Sequence, residues 1–323
     1  MMNIKSIKWN QHSKINQLQT LLLIITMGSF MALIGWIIGD VIGVIYLIVM
    51  SIVIVIFAPT ITPKLVMRLY GAKRISSSDI PNLYAAVREL SRRSHLNYIP
   101  DLYYIPSSMI SAFSVGKPTQ AGIAITDGFL RTFNLREAVA VLAHEVSHIR
   151  SNDMRVMALA DMFTRLTSLL SLLGQILFIL YLPFIITGFI SINWLVVLLF
   201  ILAPTISTLA QLGISRIREY DADLNAIRLT KDPRGLANAL VKIERVQNGW
   251  LEHLFMSGRK IPEPSFLRTH PPTAERVQRL LSYEQTPELE PFFDASMSEP
   301  VTKNLSIKKI KRKPKWHFSG LWH

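Results

Sequence analysis

Three blocks of the chain, residues 15–39, 41–63 and 166–215, contain no charged residue and no histidine. Within them apolar side chains follow one another with neither a helical nor a strand period, so every face of such a segment is apolar. A helix of this kind is buried in a large core or in lipid, and crossing the hydrocarbon core takes about 20 mostly apolar residues. The first two blocks hold one span each, Leu18–Ile38 and Val41–Pro59. The third holds two, Leu166–Ile190 and Trp194–Ile214, with Ser191-Ile192-Asn193 as the turn. Pro183 and Pro204 are expected to kink the last two helices, a distortion that neighbouring helices accommodate. A secretory signal would have an apolar part of about 7–15 residues and a small-residue cleavage site. Two full-length spans in succession argue instead for a retained segment.

Elsewhere the pattern is periodic. Ser78-Asp79 followed by Pro81 predicts a capped helix start, and Leu83, Val87 and Leu90 carry that helix to about His95. The segments Leu102–Ile105, Ala112–Val115 and Gly122–Thr126 are rich in β-formers. Pro106, Ser107-Ser108 and Gly116-Lys117-Pro118 separate them, which predicts a small sheet. Asn134 with Glu137 three residues on predicts a capping box. Behind it, Leu135, Ala138, Val139, Leu142, Val146 and Ile149 form one apolar stripe at helical spacing. Arg216 to about Thr230 continues the fourth span as helix, and Asp232-Pro233 opens another to about Asn248. A loop with Pro262 and Pro264 then leads through His270-Pro271-Pro272 to a last short helix around Ala274–Leu281.

Composition supports the membrane reading: of 323 residues, 50% are hydrophobic and 18% charged, and the mean hydropathy is +0.31. The net charge of +13 is mostly a topology signal. Lys5, Lys8 and Lys14 precede the first span, Lys64, Arg68, Lys73 and Arg74 follow the second, and Arg216 and Arg218 follow the fourth. The short connectors at Asp40 and Ser191–Asn193 carry no Lys or Arg, so both termini and the central hydrophilic region are expected in the cytoplasm. There the charge also suits anionic lipid head groups. No nucleic-acid-binding motif accompanies it, so no nucleic-acid partner is expected. The absence of cysteine excludes disulfides, thiolate metal sites and cysteine nucleophiles. Beyond Pro287 the tail carries Lys308, Lys309, Lys311, Arg312, Lys313 and Lys315 beside Trp316, Phe318 and Trp322. That mixture fits a membrane-surface segment and, equally, a solvated disordered tail.

The stretch VLAHEVSHIRSND, residues 141–153, places His144, Glu145 and His148 on the helix that Asn134 opens. Residues four apart project from one face about a turn apart, so two imidazole nitrogens can reach one ion. Glu145, displaced by about 100°, stands beside that ion, where it can take a proton from water. This is the content of H-E-x-x-H, whose chance occurrence in a chain of this length is roughly one in a hundred. A catalytic zinc usually has three protein ligands. SRIREYDAD, residues 215–223, offers Glu219 as a carboxylate ligand and Asp223, one turn on, as an acceptor for a ligand histidine's free N–H. Taken alone, with Arg216, Arg218 and Arg228 nearby, the same segment reads first as a solvated charged helix.

HEVSH at 144–148, followed across two hydrophobic spans by SRIREYDAD, resembles the HtpX group of membrane zinc metallopeptidases, relatives of the CAAX prenyl proteases in the gluzincin clan. ISAFSVGKPTQAGIAITDGFL, residues 110–130, is similar to the group's strand region, and RTHPPTAERVQRL, residues 268–280, to its His-Pro-Pro motif. The first 60 residues and the tail after Tyr283 match in character only. The resemblance implies an α+β fold: a mostly helical multi-pass membrane protein with four transmembrane helices and a cytoplasmic zincin-type domain carrying a small β-sheet. Its parts would be an N-terminal transmembrane hairpin (1–63), a first catalytic part with the sheet and zinc helix (64–165), a second hairpin (166–214), a second catalytic part (215–286) and a basic flexible tail (287–323). His144, His148 and Glu219 would bind one zinc per chain, with Glu145 as general base.

The same resemblance makes Asp223 the residue orienting His144 and has Asp153 support the site from outside. His270 would hydrogen-bond the oxyanion, with Arg276 as an oxyanion or substrate partner; without the resemblance, His270 reads as a cap for the following helix. Ser111, Ala112, Phe113, Ser114 and Val115 would pair with the substrate backbone as an edge strand. The group commonly has Asn where this chain has Ser111, so no side-chain role is assigned there. Implied partners are polypeptides, chiefly unfolded or damaged membrane proteins met in stress-linked quality control, and the lipid bilayer. The implied location is the bacterial inner membrane, with termini and active site cytoplasmic. Two alternatives stand beside this reading. A non-proteolytic zinc-containing scaffold or chaperone is disfavoured by the intact Glu145. Prenyl-protein processing is disfavoured by a short chain without extra helices to enclose a large chamber.

Overall fold

The computed structural model of the chain describes residues 4–57, 63–189, 191, 193–255, 271–283 and 301. It divides into two compact units, residues 1–60 with 155–218, and residues 61–154 with 219–323.

In the first unit, α1 (Ile4–Phe57) is broken at Gly39 and Asp40, whose backbone is non-helical, with Asp40 at φ 54°. The break lies between the two predicted spans. Around it, a Cβ on Gly35 or Gly43 would run into the backbone of the other, so only glycine permits this approach of the two arms. The long helices α6 (Asp153–Ile186) and α7 (Trp194–Thr230) each continue past their proline, Pro183 and Pro204. Among the described residues, three helices are long and apolar enough to cross a membrane: Gln17–Ile37, Asp153–Ile186 and Trp194–Thr230. A shorter apolar helix runs Gly39–Met50. The unit's core is small, built from Met31, Ile34, Leu47, Leu166 and Ala203, with Met27, Ala160 and Ile214 as a second cluster. Many of its apolar side chains are exposed, including Leu22, Ile45, Leu177 and Leu198. So much exposed apolar surface is incompatible with water and suited to lipid.

The second unit holds a four-stranded sheet in the order β1-β2-β4-β3, with β1 Lys73–Arg74, β2 Asp101–Ile105, β3 Ala112–Lys117 and β4 Gln120–Thr126. Strands β2 and β4 are parallel; the other pairs are antiparallel, and β3 is an edge. The three predicted strands are present, each extended by one or two residues. The two-residue β1 has both side chains exposed and so carries no period to read. Tyr103, Ile105, Ala124, Phe113 and Val115 pack against Met67 of α2 (Pro63–Leu69). In α3 (Pro81–Arg93) Pro81 opens the helix as expected, but Ser78 and Asp79 do not cap it. The Asp79 carboxylate instead accepts the Ser76 N–H at 2.8 Å, closing the turn before the helix. Short α4 (Asp127–Thr132) is capped by the Thr126 side chain.

The helix of interest, α5 (Leu135–Ser151), starts with the expected capping box. The Asn134 side chain accepts the Glu137 N–H at 2.8 Å, and the Glu137 carboxylate accepts the Asn134 N–H at 3.1 Å. Lys242 of α8 (Pro233–Phe255) also donates to Glu137 at 2.7 Å. Asn134→Ala should therefore cost about 1 kcal/mol of stability; identical denaturant unfolding of variant and wild type in detergent would show that the box adds nothing. The single predicted stripe is too narrow a description of α5. Besides Ala138, Val139, Leu142, Val146 and Ile149, it buries Ala140, Val141, Ala143, His144, Glu145 and Ser147, whereas Leu135 is only half-buried. The reason is that α3, α8 and β3 all pack against it. A last helix, α9 (Thr273–Ser282), packs on α8.

Candidate active site

Helix α5 carries His144, Glu145 and His148 into a buried cluster that α7 meets with Glu219 and Asp223. The two imidazoles stand one turn apart, nearly perpendicular at 88°, with their Nε2 atoms 3.0 Å from each other. Glu219 places Oε2 3.5 Å from His144 Nε2 and Oε1 3.5 Å from His148 Nε2. Zinc–nitrogen bonds of about 2.0–2.1 Å at tetrahedral angles put neighbouring ligand atoms about 3.3 Å apart. The three observed separations lie about that value, the two to Glu219 involving different oxygens, so the three residues can offer donors to one small divalent ion. Among the described residues, this is the one His/Asp/Glu group whose ligand atoms come close enough to share a metal.

Each ring's other nitrogen faces a carboxylate. Helix α5 ends at Asn152 in the left-handed region (φ 53°, ψ 38°), and the chain turns so that Asp153 returns to His148. The contact from His148 Nδ1 to Asp153 Oδ2 is 2.7 Å. His144 Nδ1 lies 3.0 Å from Asp223 Oδ1, although too oblique to that oxygen for a hydrogen bond, so this pair is held by charge and proximity. Arg276 of α9 donates to both Asp223 oxygens, at 2.7 and 2.6 Å, and its Nη1 is 3.2 Å from Glu219 Oε2.

The electrostatics point the same way. Burial opposes protonation of His148, yet Asp153 and Glu219 outweigh it and hold the ring well above the usual imidazole range. His144 is raised too, because Asp223 and Glu219 overcome its burial. Arg276 is likewise buried against its charge and held charged by Asp223 and Glu219. Glu219 and Asp223 face one guanidinium and Asp153 faces His148, so carboxylates outnumber the guanidinium beside the imidazoles. Protons on the rings, or a divalent cation between them, balance that excess.

The remaining sequence-derived residues are placed as follows. Glu145 is buried on α5 at 8% exposure, between the two histidines in sequence and outside the ligand triangle. Ala112, Phe113, Ser114 and Val115 lie on the edge strand β3, with Ser111 immediately before it. The Ser111 N–H donates to Thr126 Oγ1 at 3.0 Å. Phe113 packs on the Tyr70 ring at 5.1 Å, and the Ser114 hydroxyl is buried with no hydrogen-bond partner among the described residues. His270, and the tail apart from Val301, lie outside the described residues. Sequence reasoning did not foresee the seat of α9, where Arg279 stacks 4.0 Å over the Tyr220 ring. No spacing or period links those residues.

Two histidines and a carboxylate at metal-ligand separations, an acid beside them, and apolar helices of membrane-spanning length together define a membrane metalloprotease. The family match and the curated relatives agree. Residues 77–284 match the model of peptidase family M48, and the chain belongs to that family. The Protease HtpX homolog of Pelotomaculum thermopropionicum is 32% identical over 287 residues, covering 82% of this chain and 98% of the relative. That of Campylobacter hominis is 31% identical over 287 residues, covering 84% and 99%. That of Acaryochloris marina is 35% identical over 246 residues, covering 69% and 78%. The crystal structure of S. mikatae Ste24p has a TM-score of 0.45 at 21% identity, covering 85% of this chain and 66% of that one. The protein is a metalloendopeptidase, a hydrolase of peptide bonds.

Proposed function

We propose that this chain is a zinc-dependent endopeptidase of the bacterial inner membrane that cleaves extended segments of unfolded or damaged membrane proteins. The observation that carries the reading is the triangle of His144, His148 and Glu219, with Glu145 on the same helix. Bound there, one zinc per chain would supply Lewis acidity that polarises the scissile carbonyl and acidifies the attacking water. Glu145 takes the proton from that water and returns it to the leaving amine. Asp153 and Asp223 keep each ligand ring turned inward through its other nitrogen. His270 donates to the oxyanion as the carbonyl becomes tetrahedral, the kind of preorganised contact that carries much of catalysis. Because β3 is an edge strand, its outer backbone edge can pair with a substrate in extended form. Recognition by backbone pairing favours chains that have lost their fold over any particular sequence.

Four spans, with termini and active site cytoplasmic, complete the reading. Its supports are the basic residues flanking the apolar blocks and the break of α1 at Gly39-Asp40. The test is zinc analysis of the detergent-purified protein with a casein cleavage assay. About one zinc per chain is expected, with cleavage lost to a chelator and restored by zinc. Zinc-loaded protein that cleaves nothing would support the scaffold reading. Cleavage confined to a prenylated peptide would support prenyl-protein processing.

A further inference from the structure

We infer that Arg276 is a positioning residue for the metal ligands: its guanidinium orients Glu219 and Asp223, so that docking of α9 completes the site. The inference rests on the zinc reading above and concerns how this chain presents its own donors.

Helix α9 has ten residues and buries only two of them, Arg276 and Leu280. A helix that short has little stability by itself, and a buried guanidinium is costly unless it is paired. Arg276, 5% exposed, is paired completely enough to justify its burial. Its Nε meets Asp223 Oδ2 at 2.7 Å, its Nη2 meets Asp223 Oδ1 at 2.6 Å, and its Nη1 reaches Glu219 Oε2 at 3.2 Å. All three guanidinium nitrogens thus face carboxylates. The oxyanion or substrate role that the family resemblance implies would require at least one of them to turn away.

The atoms that Arg276 holds are the ones that serve the site. Glu219 Oε2, which meets Nη1 in an ion pair rather than a hydrogen bond, is also the oxygen 3.5 Å from His144 Nε2, which leaves Oε1 toward His148. Asp223 Oδ1, held by Nη2, is also the oxygen 3.0 Å from His144 Nδ1. One side chain therefore sets the plane of the carboxylate ligand and the partner of the first histidine. There is a charge reason as well. Glu219 and Asp223 are buried one turn apart on the same face of α7, and like charges at that spacing repel. A single cation bridging both removes the repulsion and opposes rotation of either side chain out of the cluster. Lysine in its place keeps the charge and loses the fork.

The test uses the full chain in detergent, with Arg276→Lys, Arg276→Ala and Arg279→Ala. Zinc affinity is read by competition with a chromogenic chelator, and kcat and KM on a peptide are read at limiting and saturating zinc. Arg276→Lys should unfold cooperatively like wild type, bind zinc roughly 10- to 100-fold more weakly and recover most of its kcat once zinc saturates. Arg276→Ala should be weaker still. Arg279→Ala, which loses the contact with Tyr220 and leaves both carboxylates held, should bind zinc as wild type does. Wild-type zinc affinity in Arg276→Lys would overturn the inference, and so would a kcat that stays low at saturating zinc, the mark of a group that touches the reacting atoms. A wild type that binds no zinc would overturn the zinc reading and this inference together. A wild type that binds it while Arg276→Lys is unchanged would overturn this inference alone.

Discussion

Glu145→Gln should lower peptide cleavage by roughly 100- to 10,000-fold and leave the zinc content untouched. The substitution is nearly isosteric, and at 8% exposure the side chain has little room to move. Glutamine keeps the packing of α5 against α3, α8 and β3 and leaves both imidazoles and Glu219 in place. What it removes is the ability to accept a proton from water and return it to the amine. Metal analysis beside a casein assay separates the possibilities. Chelator-sensitive cleavage retained in the variant would take Glu145 out of the mechanism. Loss of the metal together with activity would make Glu145 part of the metal's support.

Glu219→Ala should bind zinc more than about 100-fold more weakly, because losing a ligand exceeds the loss seen for the groups that merely support one. His144 and His148 would remain 3.0 Å apart on one helix, but two imidazoles alone leave the ion without its third protein donor. The fold should survive, since Arg276 keeps its two hydrogen bonds to Asp223. Zinc stoichiometry after dialysis, with cooperative unfolding as the check on folding, reads the outcome. Unchanged stoichiometry would mean that another carboxylate completes the site, with Asp153, Asp223 and Glu145 the ones to examine.

How much of this was legible beforehand depends on the range over which each feature is encoded. The capping box at Asn134, the start of α3 at Pro81 and the hairpin of β3 and β4 are set by contacts between residues close in sequence, and for β2 the run of β-forming side chains sufficed although its partners are distant. The Ser78-Asp79 cap was misplaced because a short polar side chain can close either the turn before a helix or the helix itself. For α5 the stripe was real but incomplete: periodicity registers the face that is apolar, whereas alanines and ionisable groups become buried only when other elements cover them.

By itself the sequence determined the apolar runs long enough to span a bilayer, and it determined that His144 and His148 share a helix face with Glu145 beside it. Both follow from the fixed rise and pitch of one helix, which are the same wherever that helix packs. Only the tertiary structure decided that Glu219 closes the triangle at 3.5 Å from each histidine. It also decided that Asp223 stands at His144 and that Arg276 holds both carboxylates. Read alone, residues 215–223 favour a solvated charged helix; in the fold their carboxylates meet side chains of α5 and α9. Burial is what gave those charges their partners: away from water, each carboxylate must face a cation, a ring N–H or a metal. Which of these it faces depends on helices that are distant in the chain.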